Sequence, residues 1–224
     1  MMSESFLYRP LTTALLVIDL QRYFTQSDST FARLSEARIP KGNLAQYFRR
    51  LDQRVIPNIQ RLQQSFHRTG CPVFYTRFGS FRSDGTDLPA FARRLNDAGR
   101  WAFGSPVFPP FDDPSTRLDE RIESQADETV LPKTTISALA STSLDDELRI
   151  RGISAVVVTG VLSAYCVTQT ARELADRNFE VAVVEDACAS LTATAHEAAM
   201  HAFGAVYGGV LSTEELVATI TAGA

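Results

Sequence analysis

The 224-residue sequence predicts an α/β fold, a doubly wound three-layer α/β/α sandwich around a mainly parallel sheet of about six strands. Three observations predict it. Short, continuous apolar runs rich in β-branched residues recur along the chain, helical patterns separate them, and each run is followed by a polar residue or glycine. A strand that is apolar on both faces needs helices on both sides of its sheet, and strand–helix alternation supplies them.

Taken in order, residues 14–18 (ALLVI) form the first run, which shows no alternation and stops at Asp19. A helical pattern covers residues 55–69 and ends at Gly70, and the second run, residues 72–75 (PVFY), follows it. A weaker strand is predicted near residues 128–131. The next helix spans residues 144–151, opened by a capping arrangement at Ser143-Leu-Asp-Asp146 and stopped by Gly152. Residues 155–159 (AVVVT) are the third strong run and lead through Gly160 into a helix over residues 167–178. A fourth run at 181–184 (VAVV), a helix over 193–203 and a weaker strand near 205–211 complete a Rossmann-like pattern.

The length fits one domain spanning residues 1–224, and 45% apolar residues are enough for a sizeable core. Residues 26–50 and 78–127 are less regular and richer in Pro, Gly, Arg and aromatics. They are predicted to be loop or lid insertions over the carboxyl ends of the strands, where open α/β sheets bind ligands, and part of residues 26–41 is expected to be mobile.

Composition narrows the partners. A net charge of −4 and a pI near 5.4, without a clustered Lys/Arg stripe, point away from nucleic acid. No apolar stretch approaches the roughly 18 to 20 residues that cross a bilayer, so no membrane partner is expected. No basic segment precedes the first apolar run, so no signal peptide is read. Cys71, Cys166 and Cys188 are an odd number at wide spacings, which suits neither a disulfide framework nor a zinc site, and a reducing cytoplasm is the expected compartment.

Three residues stand where chemistry is expected. Asp19, first after the opening strand, faces the crevice either as a base or as the cap of a turn. Lys133 follows another predicted strand end, a position equally suited to a surface charge. Cys166 lies where a strand passes through a glycine turn into a helix, so that helix N–H groups and a nearby lysine are expected to lower its pKa and hold an oxyanion. Cys71 and Cys188 read as small buried hydrophobes. His67, His196 and His201 lie in helical stretches away from the strand ends, which disfavours a Cys–His pair.

The segments ALLVIDLQ (14–21), PKTTI (132–136), TGVLSAYCVTQTAR (159–172) and VVEDACAS (183–190), in that order, resemble the isochorismatase-like cysteine hydrolase superfamily along nearly the whole chain. The resemblance implies an Asp-Lys-Cys triad on Asp19, Lys133 and Cys166. It also implies a cis peptide between Val161 and Leu162, and an oxyanion hole from the Leu162 and Cys166 N–H groups.

Departures from the pattern narrow the substrate. Nicotinamidases carry a metal-binding Asp and histidines after the second strand, whereas residues 75–85 (YTRFGSFRSDG) hold no histidine, so neither metal nor other cofactor is expected. Isochorismatases proper typically lack the cysteine. The chain is similar instead to the metal-free amidohydrolases of N-carbamoyl compounds, ureidoacrylate, biuret and maleamate, and to streptothricin hydrolase, which opens a lactam. A small-molecule amide or ureide is the expected substrate, and a homo-oligomer, dimer or tetramer, is implied by resemblance. The rival reading is a catalytically inactive binding protein on the same fold. Phe24, Arg77, Trp101 and Tyr165 are the substrate-binding candidates, with Arg77 placed to fork onto a carboxylate.

Overall fold

The computed structural model describes residues 8–9, 11–122 and 124–223. Its centre is a six-stranded parallel sheet in the order β3-β2-β1-β4-β5-β6, formed by β1 (Thr13–Ile18), β2 (Val73–Phe78), β3 (Thr129–Lys133), β4 (Ala155–Val161), β5 (Glu180–Ala189) and β6 (Gly209–Leu211). The order runs outward from β1 to β3 on one side and from β4 to β6 on the other. The switch point therefore lies between β1 and β4, where a doubly wound sheet opens its crevice.

The unbroken apolar runs are explained by two cores, one on each face. Leu15 and Val17 of β1 point into one, and Ala14, Leu16 and Ile18 into the other. The first core is closed by α3 (Asn43–Arg50), α4 (Ile56–Arg68) and α9 (Thr213–Gly223); a widened turn at Leu51–Val55 joins α3 to α4. The second is closed by α6 (Leu144–Ile150), α7 (Thr168–Asp176) and α8 (Ala193–Gly204). Gly70 and Gly152 end their helices at φ 68°, the left-handed conformation that such stops require.

Some expectations change. Ser143 caps nothing with its side chain; the hydroxyl of Thr142 instead accepts from the Leu144 N–H at 3.1 Å. Residues 205–208 form a turn, so β6 keeps only three residues. The two irregular insertions contain helices: α1 (Arg22–Thr25), α2 (Thr30–Glu36) and α3 in and before the first, and α5 (Ala90–Phe103) in the second. The stretch expected to be mobile carries α2, which buries Phe31, Ala32 and Leu34. In α5 only Ala92, Asn96 and Gly99 are fully buried, and the apolar Phe91, Leu95, Ala98 and Phe103 pack half-buried beside them. Asn96 earns its place by hydrogen bonding, giving 3.1 Å to the Phe108 carbonyl and accepting 2.7 Å from its N–H.

Candidate active site

Asp19, Lys133 and Cys166 come together at the carboxyl ends of β1 and β3 and just after β4. The Lys133 Nζ lies 2.8 Å from Asp19 Oδ2, with both side chains wholly buried, and 3.4 Å from Cys166 Sγ. Lys133 also donates to the carbonyls of Thr135 (3.0 Å) and Ile136 (3.1 Å), and its Nζ sits 4.7 Å from the centre of the Phe78 ring. The two carbonyls and the sulfur use the three N–H bonds of the ammonium. Asp19 Oδ2 thus pairs with Lys133 by charge, without an aligned hydrogen-bond donor among the described residues. That leaves an acceptor free for the thiol proton.

Backbone geometry sets these positions. Asp19 leaves β1 at φ 51°, an uncommon value for a residue with a side chain, and its carboxylate accepts a 2.6 Å bond from Thr76 Oγ1 on β2. Gln21 ties the same strand ends together, donating to the Phe78 and Thr116 carbonyls and accepting from the Phe78 N–H at 2.7 Å. On β4, Gly160 (φ 106°) touches β1: a Cβ there would lie 2.1 Å from the Ile18 carbonyl oxygen. The Val161–Leu162 peptide is cis, and a wide turn at Ser163–Val167 carries Cys166 into α7.

Electrostatics reverse one expectation. Burial pushes the Cys166 thiol up to about 12; Lys133 pulls it down, but the charge of Asp19 works with burial. Burial also opposes a charged Lys133, yet Asp19 and Cys166 outweigh it and raise its pKa. Helix N–H groups and a lysine were visible in the sequence; the depth of the pocket was not. The resting site therefore holds a thiol beside a carboxylate–ammonium pair. Alkylation of the free protein by iodoacetamide should be slow at pH 7 and climb about tenfold per pH unit past pH 9 without a plateau, measured as adduct mass on Cys166. A plateau near neutrality would contradict this. Because the unfolded thiol ionises near its ordinary 9.0 and the folded one near 12, the stability held below pH 9 should decline as pH rises across that interval.

His196 was expected away from the strand ends, and the structure corrects this. Its Nδ1 lies 2.9 Å from Ser163 Oγ, in the turn that carries Cys166, and its Nε2 lies 3.0 Å from Arg50 Nη2. Arginine only donates, so Nε2 accepts, and Nδ1–H is left to donate to Ser163. Burial, with Arg50 beside it, lowers the His196 pKa to about 4, so the ring is neutral at physiological pH. Sequence could not pair residues 33 positions apart on separate elements. His196→Ala should reduce kcat by about tenfold to a hundredfold through a displaced turn, with KM changed far less, in steady-state kinetics. The depressed pKa also predicts stability that is present above about pH 6.5 and falls as pH drops toward 4, where the folded ring takes its proton.

A cavity of about 570 Å³ opens over Cys166. Phe24 and Tyr165 line it, as do Leu162 and Phe78. The other two substrate-binding candidates do not. Arg77 forks onto protein groups instead, giving 2.8 Å to the Thr116 carbonyl, 2.7 Å to its Oγ1 and 3.3 Å to the Phe111 carbonyl. Trp101, on the outer face of α5, is 91% exposed. Sequence reading missed the wall residues that α2 and α5 supply: Phe31, Leu34, Ser35 and Arg38 from α2 and its end, and Phe91 and Leu95 from α5. Their spacings, i, i+3, i+4, i+7 and i, i+4, were the available signal. Among the described residues no group of three or more His, Cys, Asp or Glu side chains could hold a metal ion.

Comparison with known proteins now bears on this geometry. The chain is 31% identical to N-carbamoylsarcosine amidase of an Arthrobacter species over 56% of its length and 46% of that protein. It is 24% identical to ureidoacrylate amidohydrolase RutB of Acinetobacter baylyi, over 96% and 86% of the two chains. The crystal structure of a cysteine hydrolase from Pseudomonas syringae pv. phaseolicola superposes with a TM-score of 0.80 at 22% identity, covering 97% of this chain and 96% of that one. The sequence profile of the isochorismatase domain matches residues 13–215. This chain belongs to the isochorismatase family of hydrolases.

Proposed function

We propose that the protein is a cysteine amidohydrolase that cleaves a C–N amide or ureide bond through a thioester. The observation that carries this reading is the buried constellation itself. Lys133 stands 2.8 Å from Asp19 and 3.4 Å from Cys166, and of the three only Cys166 lines the cavity. Two of the similar proteins are named as amidohydrolases of carbamoyl and ureido compounds, which supports the same chemistry.

In this mechanism Asp19 takes the thiol proton as the sulfur attacks the carbonyl carbon. The carbonyl π electrons move onto oxygen, and the N–H groups of Leu162 and Cys166 hold that oxyanion. Asp19 returns the proton to the leaving nitrogen, the C–N bond breaks, and an amine or ammonia departs. Water then gives a proton to Asp19 and attacks the thioester, and the sulfur leaves as the thiol once Asp19 has reprotonated it. Lys133 stays charged throughout and balances the anion that moves between Asp19 and Cys166. Delivering the proton only when substrate arrives suits a thiol whose resting pKa is raised.

The test is release of ammonia or amine across primary amides, N-carbamoyl compounds and lactams, each with and without EDTA. Turnover of one class, unchanged by EDTA, supports the reading. Silence across all classes favours the catalytically inactive binding protein.

A further inference from the structure

The cavity over Cys166 has a composition that the expected ureide substrates do not match. Its walls are dominated by Phe24, Phe31, Phe78, Phe91 and Phe108, with further aliphatic side chains from α2, α5 and the turns beside the nucleophile. Besides Cys166, its lining side chains contribute polar atoms only from Ser35, Arg38 and Tyr165. Asp19 and Lys133 lie beneath the floor, fully buried, and are occupied with each other and with Cys166.

Size and polarity both decide against a compact polar substrate. At about 570 Å³ the cavity lies within the roughly 300–1,000 Å³ typical of sites for drug-sized ligands, far beyond what biuret or maleamate would fill. A ureide also brings several N–H and C=O groups, and against phenylalanine rings most of them lose water without gaining a partner. An apolar body reverses both terms, since each buried methylene strengthens binding by about fourfold.

One charged side chain lines the cavity. Arg38, one turn beyond Leu34 and Ser35, lines the cavity yet is exposed, and among the described residues it makes no ion pair. A guanidinium that lines an apolar chamber and reaches solvent suits a carboxylate carried on the ligand.

Resting on the amidohydrolase reading above, we propose that the substrate is an amide on an extended or aromatic apolar body that ends in a carboxylate. The scissile carbonyl meets Cys166, the body lies against the five phenylalanines, and the carboxylate pairs with Arg38.

Binding and turnover separate this proposal from the reading beneath it. Monoamides of linear dicarboxylic acids of increasing length, and 4-carboxyphenylbutanamide, are titrated into the Cys166→Ser variant by calorimetry, beside maleamate, biuret and N-carbamoylglycine. Affinity should rise about fourfold per methylene over the shorter members. Methyl esterification of the carboxylate should weaken binding about threefold, and Arg38→Gln should abolish that difference. The same compounds are then assayed for ammonia release by the wild-type protein. Affinity that is flat or falls with length, or a preference for the compact ureides in either assay, would overturn the substrate proposal and leave the amidohydrolase standing. Turnover that survives Cys166→Ser would overturn the mechanism while the length series still reports on the cavity.

Discussion

Replacing Cys166 with alanine will lower amide turnover by at least about 10⁴-fold and leave the fold intact, since removing a covalent nucleophile removes the reaction path and not merely one contact. The side chain is small and buried, so a methyl group fits its space and the 3.4 Å bond from Lys133 Nζ is lost. Serine will fare little better, because Asp19 must then deprotonate a hydroxyl, a far weaker acid than a thiol. Product release measured beside circular dichroism separates lost chemistry from lost structure. A native spectrum with full activity would remove Cys166 from the mechanism.

The second large effect is on stability. Lys133→Met leaves the Asp19 carboxylate wholly buried without its counter-ion, and breaking a buried pair from one side typically costs about 3–5 kcal/mol. For a chain of this size that is a fall in Tm of roughly 6–20 °C. Asp19→Asn should have a similar effect by stranding the ammonium. The double variant Asp19→Asn/Lys133→Met removes both charges and should recover much of the lost Tm, while all three variants remain inactive. Thermal denaturation checks this directly. Single variants as stable as the parent would mean that the pair is not held as a buried ion pair in solution.

The frame of the fold was legible in the sequence because parallel strands buried on both faces leave unbroken apolar runs, as in β1 and β4. The meeting of Asp19, Lys133 and Cys166 was less legible: position at a strand end left Asp19 equally a turn cap and Lys133 equally a surface charge, and only the resemblance joined the three. The walls of the cavity were harder to read. In α5 the fully buried residues are Ala92, Asn96 and Gly99, while the apolar Phe91, Leu95, Ala98 and Phe103 pack only half-buried against the core, so the stripe is diluted by small and polar residues. Arg77 was misread because a cation at a strand end can bind carbonyls as well as carboxylates, and the loop bearing Phe111 and Thr116 offered them first. The thiol pKa was misjudged for want of depth: a helix start and a lysine are local in sequence, whereas complete burial is a property of the assembled fold.

The most direct measurement is to mix the protein with a substrate found by ammonia release, quench with acid during turnover, and map the acyl group by peptide mass spectrometry. A covalent thioester mechanism predicts the acyl mass on the peptide containing Cys166, absent from the Cys166→Ala protein and lost on mild alkaline hydrolysis. Turnover with no adduct at any quench time, or an adduct carried by another residue, would contradict the assignment of Cys166 as the nucleophile.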